Sequence, residues 1–166
     1  MRDGLFLCRI NGEYLKYLHG VDDKVRLKYT NRPYVGVVVM INGTQYAVPL
    51  TSQTTDKRKM NNKKKRSARF TTFIRNTRGE EIADMLYNNM IPVKEEYYEV
   101  IDIDPNKDTY ELNEIRFIRK NREQIINKAK KVYSDRIIGT DSFSNQICCD
   151  FSALEEAMSE YHALSK

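Results

Sequence analysis

One dipeptide does most to limit what this chain can become. Asn42-Gly43 stands between Tyr34-Val35-Gly36-Val37-Val38-Val39-Met40-Ile41 and Thr44-Gln45-Tyr46-Ala47-Val48-Pro49-Leu50. The first flank is rich in β-branched side chains, and Asn-Gly accepts the positive φ that both central positions of a type I′ turn demand. The segment predicts a β-hairpin, and any fold for the chain must be built around that antiparallel pair. Pro49 has no N–H to give a ladder. The returning arm is therefore expected at a sheet edge, or loosened there, with Thr51 and Ser52 released from regular pairing.

Other elements follow from period and punctuation. Leu5 to Ile10 reads as a first strand. Gly12 permits a turn, and Tyr14-Leu15-Lys16-Tyr17-Leu18 has the spacing of a short helix that Gly20 stops. Further strands are expected at Phe70–Ile74, at Met90–Val93 and across Tyr97–Ile101. After Pro105 the pattern turns helical. Asp108 and Glu111 have capping-box spacing, and Leu112, Ile115, Ile118, Ile125, Ile126, Ala129 and Tyr133 form an apolar stripe opposite Arg119, Lys120, Arg122, Lys130 and Lys131. A second helix is expected from about Phe151 through Tyr161. All 166 residues then form one α+β domain, 1–166, in which a twisted antiparallel sheet or small barrel carries late helices on its surface.

Composition closes several functional classes. No apolar run approaches the ~20 residues of a membrane span, and Met1-Arg2-Asp3-Gly4 is not followed by a signal-peptide core, so a cytoplasmic protein with no membrane association is expected. The three cysteines, Cys8, Cys148 and Cys149, are odd in number with two adjacent, which argues for reduced packing residues rather than a disulfide framework. With two histidines, His19 and His162, and no Cys-x-x-Cys spacing, neither a metal site nor another cofactor is expected.

Charge is distributed unevenly. Between Gln53 and Arg69 eight cations (Lys57, Arg58, Lys59, Lys63, Lys64, Lys65, Arg66 and Arg69) face Asp56 alone, a local +7 that leaves −2 for the rest of a chain whose total is +5. A polyanion met at one place fits this distribution, and nucleic acid is the commonest such partner. RNA also brings its own nucleophile, because a 2′-hydroxyl can attack the adjacent phosphate. An enzyme need only help the 2′ proton leave, stabilise charge on the phosphoryl oxygens and assist the departing oxygen. The histidines are poorly placed for this, His19 closing a short helix and His162 lying near the C-terminus. Hydroxyl and cationic side chains are abundant instead. The eleven tyrosines could stack bases as well as pack a core. Tyr14 and Tyr17, three residues apart, fall roughly on one helical face, and Thr51 and Ser52 emerge where the hairpin arm ends.

Several blocks, in order, resemble one family. Tyr14-Leu15-Lys16-Tyr17-Leu18, Asp22-Asp23-Lys24-Val25, Arg32-Pro33-Tyr34-Val35-Gly36-Val37-Val38 and Ala47-Val48-Pro49-Leu50-Thr51-Ser52 are similar to blocks of the ToxN/AbiQ toxins of type III toxin–antitoxin systems. The likeness continues through Asn89-Met90-Ile91-Pro92-Val93, Ile115-Arg116-Phe117-Ile118-Arg119 and Cys149-Asp150-Phe151-Ser152-Ala153-Leu154-Glu155-Glu156. The resemblance implies a compact, highly twisted antiparallel sheet similar to the Kid/MazF toxin fold with flanking helices. It further implies a metal-independent endoribonuclease that arrests growth or aborts phage infection. Its implied partners are cellular or phage RNA targets and an RNA antitoxin, a repeat-derived pseudoknot that the toxin cuts from its transcript and that joins it in a closed toxin–RNA assembly. Carried over by position, Thr51 and Ser52 inherit the active-site expectation from the Pro-Leu-Thr-Ser motif, and Tyr29 matches a family active-site tyrosine. Arg32 aligns with a family lysine, keeping its charge but not its easy deprotonation. The lysine that usually follows the Thr-Ser pair closely is displaced here by Gln53-Thr54-Thr55-Asp56, so Lys57 takes its place, with Arg58 or Lys59 as substitutes. RNA contacts are expected from Tyr14, Tyr17, Lys24, Arg58, Lys59, Lys63, Lys64, Lys65, Arg66 and Arg69.

Two other readings compete. A non-catalytic RNA-binding module would use the same cations and tyrosines, with salt-sensitive binding and no cleavage. A DNA-binding regulator would read a groove with the basic face after Asp108, but no helix-turn-helix pattern stands there, and DNA is not the expected partner.

Overall fold

The computed structural model describes residues 5–27, 34–52 and 68–164. The strands are β1 (Phe6–Ile10), β2 (Val35–Ile41), β3 (Thr44–Ser52), β4 (Thr71–Arg75), β5 (Glu81–Leu86), β6 (Ile91–Val93) and β7 (Tyr98–Val100). The helices are α1 (Gly12–Val21), α2 (Tyr110–Lys120), α3 (Arg122–Ile138), α4 (Ser142–Ile147) and α5 (Phe151–Leu164), and short 3₁₀ turns occupy Tyr87–Asn89 and Glu95–Tyr97. All seven strands join one antiparallel sheet in the order β4-β5-β3-β2-β1-β7, with β6 added to β3. The sheet stays open: β4 and β7 end it, so the expected α+β architecture takes the twisted-sheet form and not the closed barrel.

The hairpin forms as its sequence dictates. Asn42 and Gly43 have φ of 50° and 83°, the two positive values of a type I′ turn, and Ile41↔Thr44 through Gly36↔Pro49 pair in register. Gly36 is favoured for a different reason. A Cβ there would lie 3.2 Å from both the Ala47 Cβ and the Val48 carbonyl oxygen, tighter than an ordinary contact, so a side chain would have to push the two arms slightly apart.

Pro49 corrects the edge expectation. β3 is the strand on which the sheet is centred, flanked by β2 on one side and by two partners in succession on the other. β6 pairs with Gln45–Ala47 and β5 with Leu50–Ser52, and Pro49 falls in the interval between them. A missing N–H costs little where the ladder is already interrupted. Thr51 and Ser52 are consequently held in a ladder rather than released from one.

Local chemistry explains the other departures. Asn11 caps α1 by accepting from the N–H groups of Glu13 and Tyr14, so Gly12 opens the helix, and Gly20 lies within it. Thr109, not Asp108, caps α2 through the Leu112 N–H, while Asp108 accepts from the Asn113 side chain. The long apolar stripe is two helices, broken at Asn121, whose backbone and side-chain N–H groups both reach the Phe117 carbonyl. Gly139, at φ 76°, ends α3 in the left-handed conformation.

The helices enclose a continuous core. α2 packs against β4 and β1, α3 against β2, and α5 against α1 and β6. Phe151, fully buried, stacks on Tyr133 and meets Tyr46 edge-on; burying one such ring contributes roughly 1.5–3 kcal/mol. The two tyrosine hydroxyls converge on one oxygen of Glu155, at 2.5 Å from Tyr46 and 2.8 Å from Tyr133. Burial and that carboxylate push the Tyr133 phenol up to about 12. Cys8, Cys148 and Cys149 are buried free thiols. Among the described residues, no helix is long and apolar enough to cross a membrane.

Candidate active site at the end of the third strand

The hairpin's returning arm delivers Thr51 and Ser52 to the end of β3 on a rigid support. Both are paired with β5, Thr51 opposite Asp84 and Ser52 opposite Ala83, and β4 backs the same rows through Phe73 and Ile74. The antiparallel turn brings the start of β2 to this same end of the sheet, with Tyr34 buried beside it. Thr51 is half-buried. Asp84 is fully buried, which is rare for a carboxylate unless it has partners. Side chains directly opposed across an antiparallel pair share one face with Cβ atoms about 4.5–5.5 Å apart, so the Asp84 and Thr51 side chains stand side by side on one face of the sheet.

Sequence reasoning missed Asp84, because Glu81-Ile82-Ala83-Asp84-Met85-Leu86 lacks the β-branched alternation that marks a strand. Its only signal was an aspartate inside an otherwise apolar Ile-Ala-Asp-Met-Leu run.

The chain that departs at Ser52 is described again from Ala68. There two side chains of α3 and that of Asp141, the N-cap of α4, fasten it. Lys128 donates from Nζ to the carbonyls of Ala68 (2.7 Å) and Thr71 (3.1 Å), and partial burial lowers the pKa of its ammonium. The Arg69 guanidinium reaches Asp135 at 3.1 Å and Asp141 at 2.5 Å, and its Cζ lies over the Phe70 ring, 4.8 Å from the ring centre. Asp135 also takes Lys131 at 3.0 Å, and the lysine with the arginine holds its pKa below the ordinary carboxylate value. Asp141 is lowered chiefly by Arg69.

These positions sort the expected site residues. Arg69 is balanced by two carboxylates and works as a clasp, not as a free phosphate contact. Tyr14 is fully buried, its ring stacked on Tyr97 and its hydroxyl donating to the Pro92 carbonyl at 2.6 Å, so it has no face to offer a base. Tyr17 is half-buried against Tyr161, with ring centres 4.8 Å apart. Lys24 keeps a partly exposed ammonium 3.9 Å from Asp22. The structure thus joins Thr51 and Ser52 and separates them from Tyr14. Tyr29, Arg32, Lys57, Arg58, Lys59, Lys63, Lys64, Lys65 and Arg66 lie outside the described residues. No group of three His, Cys, Asp or Glu among the described residues stands in a metal-ligating arrangement.

Comparison with known proteins gives this geometry a setting. Residues 6–159 match the family model described as Toxin ToxN, type III toxin-antitoxin system. The chain is 36% identical to Endoribonuclease ToxN of Bacillus thuringiensis subsp. kurstaki, over 92% of this chain and 81% of that relative. It is 27% identical to Endoribonuclease AbiQ of Lactococcus lactis subsp. lactis, over 97% of this chain and 91% of that one. A solved structure from a type III system, in which a toxin is selectively inhibited by a non-coding RNA pseudoknot, matches with a TM-score of 0.82 at 31% identity, covering 96% of this chain and 99% of that chain. The structure of AbiQ, a lactococcal anti-phage endoribonuclease of the type III class, matches at 0.83 and 25% identity, covering 97% and 99%.

Proposed function

The chain belongs to the ToxN family of type III toxin–antitoxin systems, and from that premise we propose that it is an endoribonuclease toxin whose chemistry sits at the end of β3. It cuts RNA by attack of a 2′-hydroxyl on the adjacent phosphate. The new P–O2′ bond closes a 2′,3′-cyclic phosphate, the P–O5′ bond breaks, and the proton lost by the 2′-hydroxyl is matched by one gained at the 5′ oxygen. No metal is required by this route, since the nucleophile is the substrate's own. The observation that carries the reading is the fixed Thr51-Ser52 pair, laddered to β5 beside a buried carboxylate and directly preceding the chain's cationic run.

Each residue then has a task. The Thr51 and Ser52 hydroxyls hold the phosphoryl oxygens, and Asp84, accepting from Thr51, fixes the rotamer from which that hydroxyl acts. Lys57 and Arg32 stabilise charge as it develops on the phosphate, and Tyr29 orients the sugar or assists a proton step. The basic segment from Lys57 to Arg66, with Lys24, gathers RNA phosphates. The whole chain acts in the cytoplasm as one nuclease domain.

Its inhibitor is a folded RNA pseudoknot that the enzyme itself releases from a repetitive transcript, and toxin and RNA alternate in a closed assembly. Unrestrained cleavage arrests growth, and in infected cells it aborts phage production. Expression of the chain alone should arrest growth, and co-transcription of tandem repeats encoded upstream of its gene should restore it. Arrest that those transcripts fail to relieve would overturn the RNA-antitoxin reading.

A further inference from the structure

A pocket of about 120 Å³ lies between the turn after β4 and the exposed side of α2. Arg75, Asn76 and Thr77 form one wall, and Asn113, Arg116, Phe117 and Lys120 the other. Three cations face one small volume. Arg75 is spent on the turn itself, donating to the Gly79 carbonyl and to Glu81 at 3.0 Å each, which fixes that wall. Asn113 is likewise engaged, by Asp108 and the Thr109 carbonyl. Arg116 and Lys120 are different: both are exposed, and among the described residues no carboxylate lies within ion-pair distance of either. Their charges are one helical turn apart, at i and i+4, and point to the same side. Unopposed like charges at that spacing are mildly unfavourable without a shared anion.

The location gives the pocket its meaning. The row that begins at Ser52 crosses β5 at Ala83 and ends at Ile74 in β4, the residue before Arg75. Two strand spacings separate the ends of that row, ~10 Å. Ala83 and Ile74 are themselves buried, so an RNA strand with one phosphate at Ser52 reaches the pocket with a neighbouring one over the edge of the sheet, where β3 and β4 both end. Phe117, half-buried in the wall, offers an apolar surface for a sugar or base beside the charges.

We propose that the pocket lined by Arg116, Lys120 and Phe117 is a second phosphate subsite for single-stranded RNA, binding the chain that flanks the scissile position. This rests on the reading that the end of β3 is the cleavage site, and it places part of the RNA footprint outside the basic run of Lys57 to Arg66. Binding here is made equally to substrate and transition state, so it acts on affinity and leaves the chemical step alone.

The test uses the full chain and 2′-O-methylated polyadenylate, which lacks the nucleophile and is not cut. The affinity of Arg116→Gln/Lys120→Gln is measured against salt beside that of the wild type and of Lys16→Gln/Lys130→Gln, an exposed pair outside the pocket with the same loss of charge. Each lost phosphate contact should lower the slope of log K against log salt by about 0.7, hence by about 1.4 for the pocket pair and not for the control pair. In cleavage of mixed-sequence RNA the pocket variant should show a raised KM with unchanged kcat. A wild-type slope in the pocket variant, or an equal drop in both variants, overturns the subsite while wild-type cleavage stands. Failure of the wild type to cleave RNA overturns the parent reading as well. Arg116→Lys, which keeps the charge, should retain most of the slope, and a full loss there would point to misfolding instead of a phosphate contact.

Discussion

The cationic run is bounded by two stems built on different physics. Before it, Leu50–Ser52 is held by a backbone ladder to β5 and by the hairpin behind it. After it, Ala68 and Arg69 are held by side-chain charge, with Lys128 on two carbonyls and Arg69 between Asp135 and Asp141, before Phe70 and Thr71 join the backbone pairing with β5 and the turn that follows it. A ladder responds little to salt or to pH in the carboxylate range, whereas exposed ion pairs are screened and titrate. The contrast suits the proposed division of labour. Chemistry needs groups fixed within a fraction of an ångström, so it belongs on the ladder; gathering phosphates needs only a tethered cationic segment.

The sharpest break between the stems should come from the hydroxyls. Ser52→Ala and Thr51→Ala should each lower the cleavage rate by about 10²–10³, the usual loss when a preorganised donor is removed; Ser52→Ala should change Tm little, and Thr51→Ala should lower it, because the buried Asp84 carboxylate loses a donor. Arg69→Ala should leave cleavage within about tenfold of the wild type, since a weakened positioning contact is expected to cost about 1.4 kcal/mol or less. Equal losses from the two stems would erase the distinction. Asp84→Asn sharpens it within the ladder. If the carboxylate accepts from Thr51, kcat should fall with KM unchanged, whereas a merely structural carboxylate would lower Tm without moving kcat at permissive temperature.

The support of the ladder is next. Gly36→Val forces a branched side chain against Ala47 and Val48 and should destabilise the hairpin by about 1–3 kcal/mol. Cleavage measured well below the lowered Tm should be nearly normal.

The return stem should show itself in acid. Asp135 and Asp141 have pKa values below the ordinary carboxylate range in the folded chain, so the unfolded chain binds more protons there, and their stabilisation is present at neutral pH and lost as pH falls through those lowered values. Arg69→Ala should flatten that acid limb of Tm against pH modestly, and should also weaken its salt dependence; an unaltered limb would mean that Arg69 does not fasten this stem. The smallest effect is expected from Tyr14→Phe, about 1 kcal/mol of stability from one buried hydrogen bond and no change in RNA affinity.

The same contrast separates what could be read in the sequence from what could not. The hairpin is legible because Asn42-Gly43 settles it locally, and the proposed placing of chemistry at Thr51-Ser52 rests on a motif of adjacent residues. β5 is not legible, since Ile82, Ala83 and Met85 become strand through partners on β3 and β4 rather than through their own propensity. Pro49 misled for a related reason: the ladder has a gap opposite it that only the placement of β5 and β6 creates. The break at Asn121 was hidden because the apolar period runs on across it.

In the sequence Arg69 reads as one of the RNA-binding cations, because the acids that hold it stand 66 and 72 residues away. Tyr14 likewise shares a helical face with Tyr17, yet Tyr97 and Pro92 enclose only Tyr14. Sequence supplies charge and period at each position, and distant partners decide whether a charge is free or spent.

The proposed nucleophile at the end of β3 is the RNA's own 2′-hydroxyl, and the ends produced when purified protein is incubated with RNA in excess chelator decide whether it is. Cleavage should be undiminished and should leave 5′-hydroxyl and 2′,3′-cyclic phosphate ends, and a 2′-deoxy substitution at the cleaved nucleotide should abolish it. Ends bearing 5′-phosphate, a strict requirement for added metal, or cleavage that survives loss of that 2′-hydroxyl would rule this nucleophile out.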